Sequence, residues 1–327
     1  MKIFYAVQAN GNGHISRAIQ ILPYLKKYGE VDLFLSGNNT SLTQNIPIKY
    51  RSNGVNLFYK DAGGLDYYEI FKSIPYKRVI KEANELPVNN YDLVINDFDF
   101  ITSLACKIHK KPSVHFGHQA SFQSKLTPRS KANNPIGKII LQKFVKSSDY
   151  VGLHFKSYDK DIYNPIIKDE IVKAKPTNEE HISVYLPQYS ISFLEPFFLS
   201  KNNIHFEIFT REVSEKTVKL NITYFPINNT DFTNSLITCN GIITAGGFET
   251  PAEAMYLKKK LLSIPINNHF EQECNAEALK QLGVNVVQKI DAGFNNTLDN
   301  WLKHAKVVEL NLTHSTERII EILMEKC

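Results

Sequence analysis

Cysteine is scarce and scattered in this chain of 327 residues. Cys106, Cys239, Cys274 and Cys327 form no C-x-x-C pair, so neither a zinc motif nor a disulfide framework is suggested. No apolar run is long enough to cross a bilayer, and the most apolar window, Ile191 to Leu199, is interrupted by Glu195-Pro196. Repeats of fixed period and low-complexity tracts are absent. The formal charge of +5 is too mild to imply nucleic acid, and none is expected as a partner. The start, MKIFYAVQANGNGH, has one lysine and then a strand-like run, not the layout of a signal peptide. A reduced, cytoplasmic setting is the expectation. Between Asp99 and Asp149 there is no carboxylate at all, although lysines and Arg129 recur there.

What is present is the composition of a soluble globular protein, 43% hydrophobic and 22% charged, at a length that implies two cores. Apolar runs of strand length alternate with segments of helical period. The first half offers KIFYAV, VDLFL, VNLFY, DLVIN, SVHF and YVGLHF, with helices expected near 15–28, 66–84, 101–109 and 135–146. The second half offers HISVYL, IHFEIF, NITYF, GIIT, KLLSI and VNVVQ. Such alternation implies parallel sheets buried on both faces. The pattern lapses over the charged stretch that ends in Lys175-Pro176. The expected layout is therefore α/β, with two doubly wound Rossmann-like domains at 1–160 and 181–310 joined by a linker at 161–180. Residues 311–327 form a C-terminal helix, capped by Ser315, expected to pack back on the first domain.

Open sheets of this kind bind ligands at the carboxyl ends of their strands. Three loops there carry chemistry. Gly11-Asn12-Gly13-His14 leads into a helix, and Gly13 lets backbone N–H groups approach an anion. The loop is not a dinucleotide fingerprint, because Ser16 stands at the third glycine position. His14 is a base or a histidine that merely bonds the loop. Asp97 and Asp99 follow the strand DLVIN. They suit a divalent ion against a diphosphate, a helix cap, or the orientation of a histidine. His115, His118 and Gln119 follow the next strand as polar cleft candidates.

The third loop is GIITAGGFETPAEA. Gly246 and Gly247 allow a diphosphate onto the N-terminus of a helix starting near Glu249. Thr250 can donate to phosphate, and Glu253 can accept from both ribose hydroxyls. After the next strand, Glu271, Gln272 and Asn275 offer donors and acceptors to a sugar.

GNGHISRA and the segment from GIITAGGFETPAEAM to FEQECNAEAL together resemble the GT-B nucleotide-sugar glycosyltransferases. The likeness lies near the UDP-glycosyltransferases and the GlcNAc transferase of the peptidoglycan lipid intermediate. It covers most of the chain, and it implies two domains facing a central cleft, the first for the acceptor and the second for the donor. By residue, it implies His14 as catalytic base and Asp97 as its partner. It places Gly247 and Thr250 at phosphate, Glu253 at ribose, Glu271 and Gln272 at the sugar, and the backbone around Phe225 to Ile227 at the base. It also implies no metal at Asp97 and Asp99 and no cofactor, only a UDP-sugar co-substrate. One departure is Thr244-Ala245, where plant members carry a histidine. The implied reaction is inverting transfer of a sugar to an acceptor hydroxyl on a glycan, a lipid or a small molecule.

Rival readings use the same architecture. GNGHISRA, with Arg17, also resembles a UDP-sugar hydrolase that uses water as acceptor. A UDP-GlcNAc 2-epimerase shares the fold, but its acidic loop pattern is absent. A non-catalytic nucleotide-sugar-binding subunit would keep only the donor half. The acid-free stretch NNPIGKIILQKFVKSS mixes Ile139, Ile140 and Phe144 with Lys138, Lys143 and Lys146. It suits peripheral association with the anionic inner face of a membrane, or a buried helix with a solvated basic edge, the plainer reading.

Overall fold

The structure, a computed structural model, describes residues 1–9, 11–37, 46–55 and 66–326, the side chains of Tyr67 and Phe71 excepted. Its first seven strands form one parallel sheet: β1 (Lys2–Gln8), β2 (Glu30–Ser36), β3 (Ile48–Ser52), β4 (Leu93–Asp97), β5 (Val114–Gly117), β6 (Asp149–Leu153) and β7 (Ile162–Tyr163). Their order is β3-β2-β1-β4-β5-β6-β7. Residues 3 to 7 of β1 are fully buried. Ile3, Tyr5 and Val7 enter one core and Phe4 and Ala6 another, because a strand alternates its side chains. Helices α1 (Asn12–Leu25), α2 (Tyr67–Lys72), α3 (Tyr76–Glu85), α4 (Phe100–His109) and α5 (Pro135–Lys143) accompany the sheet.

A single-turn helix, α6 (Asp169–Val172), lies in the connection. The second sheet contains β8 (His181–Tyr185), β9 (His205–Thr210), β10 (Thr217–Lys219), β11 (Ile222–Pro226), β12 (Gly241–Thr244), β13 (Lys260–Ser263) and β14 (Asn285–Val286). It runs β10-β11-β9-β8-β12-β13-β14, and only β10 is antiparallel to its neighbour. With it go α7 (Ile191–Leu199), α8 (Asn229–Thr238), α9 (Glu249–Tyr256), α10 (Phe270–Gln281) and α11 (Phe294–His304). The last helix, α12 (Thr316–Glu325), returns to α1: Lys27 Nζ sits 2.7 Å from Glu317, and Ile319, Ile320 and Leu323 enter the core shared with Ile15 and Ala18.

Each sheet reverses its strand order once, between β1 and β4 in the first and between β8 and β12 in the second. A crevice opens at such a switch point. The loops that leave those strand ends carry His14, Asp97 and the glycine pair Gly246-Gly247.

The elements depart from the sequence reading in several places. The helix expected over 66–84 is two helices, because Pro75 lacks an N–H and restricts Ile74 before it. The helix expected to reach residue 146 ends at Lys143. Of the strand expected at VNLFY, Val55 is not in a strand and the remainder lies outside the described residues; β3 takes the edge position instead. VNVVQ contributes only two paired residues. Within the stretch read as linker, Ile162–Tyr163 pairs with β6 and so belongs to the first sheet.

Candidate active site

β1 and β4 are neighbours in register, with Val7 opposite Asp97, so the loop after β1 and the end of β4 meet at one point. There His14 Nδ1 lies 2.7 Å from Asp97 Oδ1. Arg17, one helical turn after His14 on α1, closes a fork on the same carboxylate, Nε to Oδ2 at 3.0 Å and Nη2 to Oδ1 at 2.8 Å. Its Nη1 donates to Glu249 at the start of α9, tying the two domains together. Burial by itself would raise the Asp97 carboxyl. The charges of Arg17 and His14 outweigh it and hold the group well below the usual carboxylate range. Both partners thus favour the Asp97 anion.

Asp99 does different work. It is the N-cap of α4, and its carboxylate accepts from Thr102 N at 2.6 Å. Phe98 between them has φ of +60°, a left-handed conformation unusual for a bulky side chain. That turn separates the two aspartates and lays the Phe98 ring parallel to the His14 imidazole, with centroids 6.5 Å apart. Gly117, at the end of β5, has φ of +114°, and a Cβ there would lie 3.0 Å from both Arg17 Nη2 and Asp97 Oδ1. Only glycine fits behind the pair.

Two cavities adjoin at Gly13 and Glu249, which line both. The larger, about 270 Å³, is lined by the polar His14, Gln119, Glu271 and Gln272 and by the apolar Val55, Phe98, Ile140, Leu141 and Phe144. The smaller, about 90 Å³, is lined by Tyr185, Phe209, Ile227, Asn228, Phe232, Thr250, Glu253 and Lys168. Gly247 opens onto the larger cavity, and an added Cβ there would meet nothing within 4 Å. At Gly13 a Cβ would come within 3.0 Å of Glu249 Oε2. Burial pushes the Glu253 carboxyl up to about 7, against the pull of Lys168 at 3.4 Å.

Three of the residues expected to touch a donor lie behind these walls. Asn275 is fully buried, bonding His118 Nε2 at 2.7 Å and the Gly246 carbonyl at 3.0 Å, so it braces the glycine loop. Gly246 is packed against Pro265 and Gln272. Phe225 is stacked beneath Phe209, ring centroids 5.1 Å apart, and Phe209 presents the surface. Gln272 lines the larger cavity, but its Oε1 accepts from Ile266 N at 2.9 Å. Glu271 lies 3.9 Å from His118, which stacks on Phe248 at 4.0 Å. The residues that the sequence reading missed are Tyr185, Phe209, Phe232 and Lys168. No local motif marks them, since each comes from a different strand end, helix or connection. Among the described residues no cluster of three metal-ligating side chains occurs.

A family model for glycosyl transferase family 1 matches residues 1–304. The chain belongs to that family. No curated protein is detectably similar to it. Among solved structures, this glycosyltransferase resembles LpCGTa in complex with UDP, at 11% identity and TM-score 0.62, over 99% of this chain and 98% of the other. The glycosyltransferase SnogD from Streptomyces nogalater matches at 13% identity and TM-score 0.54, over 99% of both chains. MurG from Acinetobacter baumannii matches at 13% identity and TM-score 0.51, over 99% and 100%. The fold of the glycosyltransferase is GT-B, two Rossmann-like domains, as the resemblance implied.

Proposed function

We propose that the glycosyltransferase moves a sugar from a UDP-sugar to an acceptor hydroxyl, with inversion at the anomeric carbon. The observation that carries this reading is the His14–Asp97 pair at 2.7 Å, on the cavity wall beside the junction with the smaller cavity. The acceptor occupies the larger cavity and gives its hydroxyl proton to His14 Nε2 as the oxygen attacks. Nδ1–H donates to Asp97, which sets the tautomer and balances the imidazolium. The departing diphosphate stays at Gly247 and Thr250, where the N-terminus of α9 stabilises negative charge. A single displacement from the face opposite the leaving group inverts the centre.

UDP bound to LpCGTa supports the choice of donor, and the aromatic walls around Phe209 suit a nucleobase. No metal takes part: Asp97 is committed to His14 and Arg17, and Asp99 to a helix cap. The apolar wall supports an acceptor with a carbon body over water. Peripheral membrane contact belongs to the same proposal, because Ile136 and Ile139 on α5 are exposed beside Lys138 and Lys143.

The test is product analysis of UDP-sugars incubated with and without aliphatic and phenolic alcohols, in the presence of EDTA. A β-glycoside from an α-linked donor is expected. His14→Ala should lower turnover by about 10²–10⁴-fold without loss of UDP binding. Release of free sugar alone in every mixture would make the chain a hydrolase. Undiminished turnover by the variant would remove His14 as the base.

A further inference from the structure

One cation on the wall of the smaller cavity comes from neither sheet. Lys168 precedes α6 in the connection between the domains, and its side chain is only 14% exposed. Its Nζ stands 3.4 Å from Glu253 Oε1, 3.3 Å from Thr233 Oγ1 and 3.4 Å from Asn229 Oδ1. The next two residues fasten the same turn to both domains. Asp169 accepts from Gln20 Nε2 at 2.5 Å and from Tyr24 on α1 at 3.3 Å, and Glu170 accepts from Asn229 and Thr233 on α8. Three consecutive residues thus reach the first domain, the second domain and the cavity.

We propose that Lys168 is a positioning residue for the donor, holding the Glu253 carboxylate in place for the two ribose hydroxyls. The proposal rests on reading the smaller cavity as the nucleotide pocket. Glu253 is 3% exposed. Among the described residues, the charged groups that act on it most are Lys168, Glu249 and Glu170, and of these three Lys168 is the cation. Burial and the two glutamates favour the acid form; Lys168 opposes them. A carboxylate accepts from both hydroxyls of a vicinal diol, whereas a carboxylic acid uses one oxygen as a donor. Without Lys168, Glu253 takes up its proton at higher pH and ribose recognition fails near neutrality. Lys168 directly precedes Asp169, anchored on the first domain, and Glu170, anchored with it on Asn229 and Thr233 of the second.

The experiment is titration calorimetry with UDP and 2′-deoxy-UDP on the wild type, Lys168→Met and Lys168→Arg, at about pH 6, 7 and 8.5. The wild type is expected to prefer UDP by about tenfold or more, the size of a hydrogen bond to a charged group. That preference should grow as pH rises through 7. Lys168→Met should lose it at neutral pH and regain part of it at the alkaline end, with 2′-deoxy-UDP affinity little changed. Lys168→Arg should keep most of it. Full preference in Lys168→Met at every pH overturns the proposal. Equal loss of both nucleotides by a Lys168→Met protein with a wild-type melting curve also overturns it, since Lys168 would then be a phosphate contact. If the wild type binds both nucleotides equally, this proposal falls and the UDP reading stands. If it binds neither, the UDP reading falls and takes the proposal with it.

Discussion

Arg17 controls the His14–Asp97 pair without being a base itself. Its guanidinium is 3% exposed, its fork lies on Asp97, and Nη1 holds Glu249 across the domain boundary. Lysine has one point charge and cannot reproduce the fork. Removal of the charge leaves burial to push the Asp97 carboxyl upward, opposed by His14 and by the Tyr5 hydroxyl that donates to Oδ2 at 3.3 Å. In the wild type Asp97 stays ionised well into acid, so it does not limit activity there. In Arg17→Met the carboxyl titrates at higher pH, and the acid limb of kcat/KM should move upward. A profile that coincides with the wild type's, on a variant with a normal melting curve, would show that Asp97 stays ionised without Arg17.

At the scale of elements, Asp97 and Asp99 differ because the backbone turns between them. Asp97 ends a strand and lies buried behind His14 and Arg17; Asp99 caps a helix. Asp99→Ala should cost about 0.5–2 kcal/mol of stability, the value of a helix N-cap, while UDP affinity is unaffected. Thermal melting and calorimetry on the same variant separate these outcomes, and a lost UDP site would return Asp99 to the binding machinery. Gly117→Ala probes the opposite case. Its left-handed φ and the 3.0 Å approach to Arg17 and Asp97 predict loss of stability and turnover together, because the added methyl group displaces the pair.

For the whole molecule, the return of α12 to α1 sets the end of the chain in a core to which both domains contribute. Ile320 is fully buried in the core that also holds Ile15 and Ala18, so Ile320→Ala should cost about 2–5 kcal/mol by cavity formation. A melting curve like the wild type's would mean that α12 is dispensable. Helix α5 and its C-cap Phe144 are apolar toward the larger cavity through Ile140, Leu141 and Phe144, and α5 is apolar toward solvent through Ile139, 60% exposed. Vesicles with anionic lipid should carry the protein upward in a flotation gradient at low salt and release it at high salt. No flotation at low salt would leave α5 as a solvated edge.

Local signals in the sequence were enough for the alternation of strands and helices, the division into two domains, and the start of α9 after its glycines, while α1 begins at Asn12, earlier than the expected 15–28. Each depends on residues within a few positions of one another: hydrophobic period, glycine at a helix mouth, a capping side chain. His14, Asp97 and Gly247 could be singled out as candidates for the same reason, since each lies in a short motif at a strand end. Ser315 accepts from Arg318 N at 3.2 Å, a cap that its spacing announced. Tertiary structure alone decided the rest. Asp97 rather than Asp99 meets His14 because β1 and β4 pair with Val7 opposite Asp97 and Phe98 then turns the chain away. Arg17 reaches Glu249, 232 residues away, only because the two switch points face each other. Asn275 and Phe225 fall behind the walls, and Lys168 and Phe209 come forward, through packing between separate elements. Strand register and domain docking are set by contacts between residues far apart in the chain, and a local pattern carries no record of those distances.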